Sequence, residues 1–191
     1  MSNGLIYIDC GVHDGQTIEF FRAGSPQFLG RPNAREYRII GFEPDAADHG
    51  LYEKFLHDPL VKIDPRAVWS RDGHVGFDSD AGSLSSHVAG LPAACHGPEG
   101  FERRTVPCVD FARFIMDHIV PGRVRLVVKL DIESAEYAVL PRLVETGAHR
   151  YIDELYVEWH HTVDGWRDKR AEIERAMAAR GPGFHYCGDW A

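Results

Sequence analysis

The chain has 191 residues and a formal net charge of −8, with 44% hydrophobic and 26% charged residues; this fits a single domain over residues 1–191 that builds its core without disulfides or metals. The acidic balance and the scattered lysines and arginines argue against a nucleic-acid partner, no apolar run reaches the roughly 18–20 residues of a membrane span, and the start, MSNGLIYID, lacks a signal pattern, so a cytoplasmic protein is expected. The four cysteines, Cys10, Cys95, Cys108 and Cys187, form no CxxC pair and are expected as free thiols.

Along the chain, Leu5 to Cys10 is a short apolar run stopped by glycine, and Thr17 to Arg22 has helical character: strand, tight turn, helix. Arg38 to Phe42 is a second strand, with Asp45 as the expected cap of a helix running to about His57. Leu60 to Trp69 reads as a third strand interrupted at Pro65, and Arg71-Asp72-Gly73 as a turn folding it back into His74 to Phe77 as a hairpin. From Ser79 to Arg104 no period of 2 or 3.6 survives, which predicts a long loop or lid. Val109 to Ile119 follows as an amphipathic helix. Val124 to Ile132 is the most hydrophobic strand, as expected at a sheet centre covered on both faces. Tyr137 to Glu145 is a helix ended by Gly147, Asp153 to Trp159 a strand, Trp166 to Ala179 a helix and Gly183 to Cys187 a last strand. The alternation predicts an α/β, Rossmann-like, doubly wound and mostly parallel sheet with helices on both faces.

Acidic residues close four of these strands: Asp9, Glu43, Asp131 and Glu158. Ligands of open parallel sheets bind beyond the strands' carboxyl ends, so these carboxylates are expected to line one cleft, suited to a small uncharged or cationic ligand. In the first turn, Asp9, Gly11 and Gly15 form Asp-x-Gly-x-x-x-Gly rather than GxGxxG, a turn that suits a ligand bearing an amino group. Glu43, at the end of the second strand, stands where a carboxylate accepts hydrogen bonds from ribose hydroxyls. Together the two features favour a nucleoside ligand.

At this point the chain resembles the class I S-adenosylmethionine-dependent methyltransferases, and more narrowly the FkbM family. The resemblance rests on IDCGVHDG, GFEPD, AVWSRDGHVGF, VKLDIESAEYAVLPRL and DELYVEWH, and covers nearly the whole chain; Lys129, Asp131, Glu133 and Glu136 match the family's Lys-x-Asp-x-Glu-Gly-x-Glu. It implies that Asp9, Gly11 and Gly15 surround the methionine part of S-adenosylmethionine, that Glu43 binds the ribose, that Ala67 and Val68, with Asp64 nearby, lie near the adenine, and that Asp131 sits next to the methyl donor. His13 occupies the cofactor turn where the family usually has Asn, and Ser134 replaces the family's Gly. The chain leaves little room for the antiparallel hairpin that normally closes this sheet, so either that hairpin is shortened or a second subunit, in a homo-oligomer, completes the edge.

The reaction so implied is attack of an acceptor oxygen or nitrogen on the cofactor's methyl group, with a base for a hydroxyl proton. Glu158 and His160 alternate onto one face beside Asp131, and His160 is the expected base. Asp131, Glu158 and His160 could also converge on a magnesium or manganese ion, although no residue is assigned as a metal ligand. His161 points to the other face. His87 and His96 lack metal-ligand spacing. Lys129 and Glu136 are expected to serve the fold as an internal ion pair or cap. The leading reading is O-methylation of a small-molecule hydroxyl, on a sugar or natural product, with specificity set by Ser79 to Arg104 and the loop after Glu158. A non-catalytic nucleoside-binding module stands as the alternative; the absent GxGxxG argues against a nicotinamide oxidoreductase.

Overall fold

The computed structural model describes residues 4–79, 86–91, 102–161, 163–179 and 184–188. The elements run β1 (Gly4–Cys10), α1 (Gln16–Arg22), β2 (Arg38–Phe42), α2 (Leu51–Phe55), β3 (Val61–Asp64), β4 (Ala67–Trp69), β5 (Gly73–Ser79), β6 (His87–Val88) and β7 (Glu102–Asp110). They continue with α3 (Phe111–His118), β8 (Val124–Leu130), α4 (Glu136–Thr146), β9 (Glu154–Val157), α5 (Trp166–Ala178) and β10 (His185–Cys187).

Among the described residues six strands form a parallel sheet in the order β10-β9-β8-β1-β2-β3. Strands β1 and β8 sit at its centre, and Leu126 to Leu130 are wholly buried, as an apolar run covered on both faces must be. Alternation along each strand divides the core. Ile8, Val128 and Leu130 pack with α3, α4 and Met177 of α5 on one face; Tyr7, Val127 and Tyr156 pack with Ile18, Phe21 and Phe28 on the other. From β1 the chain runs outward through β2 and β3, then returns to β8 on the opposite side. That reversal opens a crevice at the carboxyl ends of β1 and β8.

The stretch expected as one third strand divides at Pro65 between two sheets. Its first half, β3, ends the parallel sheet; its second half, β4, belongs to a smaller sheet of order β4-β7-β5-β6. The expected hairpin does not form between β4 and β5, because β7 lies between them, parallel to β4 and antiparallel to β5. The turn itself receives β7: Asp72 accepts a hydrogen bond from the Asp110 backbone N–H at 3.0 Å, and the Cys108 thiol lies 3.4 Å from the Arg71 carbonyl oxygen. Since β7 starts at Glu102 and β6 occupies His87–Val88, the stretch expected as one loop from Ser79 to Arg104 is partly sheet; residues 80–85 and 92–101, with Cys95 and His96, lie outside the described residues.

The helix expected from Asp45 is likewise shorter, beginning only at Leu51 after Gly50. Asp45 is instead held by Arg104 and by the Ser79 hydroxyl. Asp110, by contrast, does cap α3, its carboxylate accepting from the Arg113 N–H at 3.2 Å. At the other edge β10 pairs parallel with β9, and no antiparallel hairpin closes the sheet among the described residues. Among the described helices none is long and apolar enough to cross a membrane. Cys10, Cys108 and Cys187 are free thiols.

Candidate active site

A cavity of about 280 Å³ opens at the reversal point. Gly11, Val12, His13, Asp14 and Thr17 reach it from the β1–α1 turn, Phe42, Glu43 and Pro44 from the end of β2, Lys129, Asp131 and Glu133 from the end of β8, and Glu158 from beyond β9. The small sheet adds an apolar wall of Ala67, Val68, Phe77 and Val88.

The first turn is held open by backbone geometry. Gly11, at φ +82°, passes so close to β8 that a Cβ there would lie 1.8 Å from the Asp131 carbonyl oxygen; only glycine tolerates both. His13 follows at φ +50°, and its N–H donates to Glu43 at 2.9 Å while the Asp45 N–H donates to the other Glu43 oxygen at 3.0 Å. Two backbone donors therefore fix the Glu43 carboxylate at the cavity edge. Burial raises its pKa, and the His13 N–H offsets part of that.

Beneath the turn lies a buried charge cluster. Lys129, wholly enclosed, pairs with Asp9 at 3.3 Å and Asp131 at 3.1 Å and donates to the Gly11 carbonyl at 2.7 Å. Burial disfavours its charge, but the two carboxylates outweigh burial and keep it protonated. Asp9 also accepts from the Thr17 hydroxyl.

After β8 the chain turns through two consecutive non-glycine residues in the left-handed region, Glu133 at φ +51° and buried Ser134 at φ +75°. The turn brings Glu133 to the cavity, and Glu136 closes it by accepting from the Ile132 N–H at 3.0 Å. Each left-handed L-residue costs about 1–2 kcal/mol. Ser134→Gly should therefore raise stability by about 1 kcal/mol in denaturant unfolding, after allowance for glycine's freer unfolded chain; a loss of stability would mean that the serine side chain contributes more than the backbone strain removes.

Glu136 also accepts from His160 Nδ1 at 3.0 Å, while His160 Nε2 faces Glu133 at 3.6 Å and Asp131 at 3.8 Å. Burial pulls the imidazole pKa down, but Glu136, Glu133 and Asp131 overcome it and hold it at about 9. Burial likewise pushes the Glu133 carboxyl up to about 7, against the pull of His160, and raises Glu158, with Asp131 adding to the effect.

These positions divide the residues expected from the sequence. Gly11, His13, Glu43, Ala67, Asp131 and Glu158 converge on the cavity. Asp9 does not reach its wall, being wholly buried under Lys129 and Thr17, and Gly15 at φ +84° serves as the entry of α1. Asp64 turns instead to Arg66, which it binds through both oxygens at 2.9 and 2.7 Å. His160 is not among the residues lining the cavity; it stands behind Asp131 and Glu133, which together with Glu136 raise its pKa to about 9 against the effect of burial. Lys129 and Glu136 serve the turns as expected, but with separate partners rather than each other. The sequence reading gave Glu133, Phe77 and Val88 no role; for Glu133 the signal was its place two residues after a strand-ending Asp.

Among the described residues two groups bring metal-type donor atoms within 4.8 Å of one another: Glu43, Asp45 and His49, and Asp131, Glu133 and His160. In the first, the carboxylates are already committed to His13, Asp45, Ser79 and Arg104.

Fold and crevice together define an open-sheet α/β protein with a cavity at the carboxyl ends of its central strands, where proteins of this class bind their ligands. The profile of the methyltransferase FkbM domain matches residues 9–186, and the chain belongs to that family. The crystal structure of methyltransferase FkbM from Methylobacillus flagellatus KT at 2.20 Å resolution shares the fold, with a TM-score of 0.54 and 12% sequence identity. The match covers 97% of this chain but only 40% of that one, so the chain spans less than half the length of its structural neighbour. No curated protein matches the chain.

Proposed function

We propose that this chain is an S-adenosylmethionine-dependent methyltransferase acting on a small-molecule hydroxyl, of a sugar or natural product. The observation that carries the reading is Glu43, fixed by two backbone N–H groups beside the glycine turn at the reversal point, where a carboxylate can receive both hydroxyls of a ribose. The residues fit the cofactor: its sulfonium and ammonium charges suit a cavity bounded by Glu43, Asp131, Glu133 and Glu158, and Ala67, Val68, Phe77 and Val88 offer an apolar slot for a base ring. When bound, S-adenosylmethionine supplies an electrophilic methyl group.

The chain's own part is alignment of the acceptor and removal of its proton. Asp131 lies at the centre of the crevice, anchored from behind by Lys129. Glu158 lines the same cavity from just beyond β9, and in this reading it shares the base role with His160. The acceptor is a partner by proposal, as is the cytoplasm as its place of action.

Calorimetric titration with S-adenosylhomocysteine tests the reading before any acceptor is known. Binding in the micromolar range is expected, and Glu43→Gln should weaken it by about 1–3 kcal/mol, roughly 5- to 150-fold, through loss of charged hydrogen bonds. Absence of binding by the folded chain would overturn the cofactor assignment, and an unaltered affinity in Glu43→Gln would take Glu43 out of the site.

A further inference from the structure

We propose that Asp131, Glu133 and His160 form a site for one divalent metal ion, manganese(II) or a cation of like size, opening onto the cavity. This goes beyond the methyltransferase reading and does not depend on it.

The donor set comes from two neighbouring strand ends. Asp131 and Glu133 follow β8, His160 follows β9, and one donor atom from each lies within 4.8 Å of the others. His160 Nε2 is 3.6 Å from Glu133 Oε2 and 3.8 Å from Asp131 Oδ1. Those separations exceed a hydrogen bond, yet they suit donors spaced around an ion at about 2.0–2.3 Å from each. Among the described residues Glu133 Oε2 is enclosed and accepts no hydrogen bond, so its lone pairs are open to a cation.

The surroundings orient the donors as a metal site does. Lys129 takes Asp131 Oδ2 and leaves Oδ1 turned toward the imidazole. His160 is only 7% exposed, and its Nδ1 is bound to Glu136, itself fully buried and fixed by the Ile132 N–H. A carboxylate behind the ligating histidine sets its ring orientation and strengthens its outward nitrogen. The carboxylates of Asp131, Glu133 and Glu136 that surround the imidazole also draw a cation, and binding requires the outward nitrogen in its unprotonated form. One imidazole with two carboxylates suits manganese better than magnesium, which prefers oxygen alone. Asp131 and Glu133 also line the cavity, which places the donor group at its edge.

Electron paramagnetic resonance of the chelator-stripped chain, titrated with manganese(II) alone, tests the site. One equivalent should bind in the micromolar range, and the echo-modulation spectrum should show one directly bound imidazole nitrogen. Glu133→Gln and His160→Gln should each weaken binding tenfold or more, and Glu136→Gln about 10- to 100-fold as a loss behind the ligand, whereas His49→Gln, in the other donor group, should leave it unchanged. No binding below about 1 mM, binding without nitrogen modulation, or binding lost in His49→Gln but retained in folded Glu133→Gln would each overturn the proposal. The wild-type spectrum decides even if a variant fails to fold, and a chain that binds manganese but not S-adenosylhomocysteine would separate this site from the cofactor reading.

Discussion

Lys129→Met should lower the stability of the chain by about 3–5 kcal/mol, because it leaves two carboxylates facing each other without their buried cation. Lys129 is wholly enclosed between Asp9 and Asp131, and its third contact, 2.7 Å to the Gly11 carbonyl, ties the first turn to β8. Methionine keeps the unbranched stem of the side chain up to its last atom and removes the charge, so packing changes little and the loss reports mainly the ionic cluster. The measurement is denaturant unfolding of wild type, Lys129→Met, Asp9→Asn and the double variant. If the cluster acts as a unit, the double variant should be more stable than the sum of the single losses predicts. A loss below about 1 kcal/mol, the range of solvent-screened pairs, would place the lysine in contact with water and refute the enclosed geometry. The folded fraction of Lys129→Met should also bind S-adenosylhomocysteine more weakly, since the freed turn no longer holds His13 and Glu43 together.

The same cluster shows which parts of this protein could be read from its residues. The strand VRLVVKL announces a sheet centre by its apolar run, and its one lysine announces a buried partner; both expectations hold, although the partners are Asp9 and Asp131 rather than Glu136. Asp131, Glu43 and Glu158 were legible because the place of a strand's carboxyl end in an open parallel sheet follows from topology. His160 was not, because β9 stops at Val157 and period-2 alternation carries no information past a strand's end. Beyond it the imidazole turns to Glu136, a residue 24 positions earlier, a contact that no local pattern announces. Asp64 failed for the opposite reason: a local partner, Arg66, captures it. The small sheet was hidden by sequence distance. Its turn at Asp72-Gly73 is a sound local signal, yet β7, more than two dozen residues later, enters between the strands it was expected to join, and ERRTVPCVD carries two arginines and a proline that mask its alternation.

Gly11→Ala should destabilise the fold by about 3 kcal/mol or more, through the sum of a left-handed backbone penalty of about 1–2 kcal/mol and forced displacement of neighbouring structure. The displaced group would be the Asp131 carbonyl, 1.8 Å from the new Cβ, and its rotation is resisted because the Ile132 N–H of the same peptide plane donates to Glu136 at 3.0 Å. A matched control separates the two contributions. Gly122 also has a positive φ, +72°, but a Cβ there meets nothing within 4 Å; Gly122→Ala should therefore lose only the backbone term. Unfolding midpoints of the two variants, compared at equal slope, measure the difference. Equal losses would mean that the first turn and the end of β8 are further apart than 1.8 Å implies. If instead Gly11→Ala loses the larger amount, the close approach is real, and its meaning for the site follows: the glycine lets the first turn and the Asp131 loop share one floor, so that Glu43 and Asp131 face the same cavity.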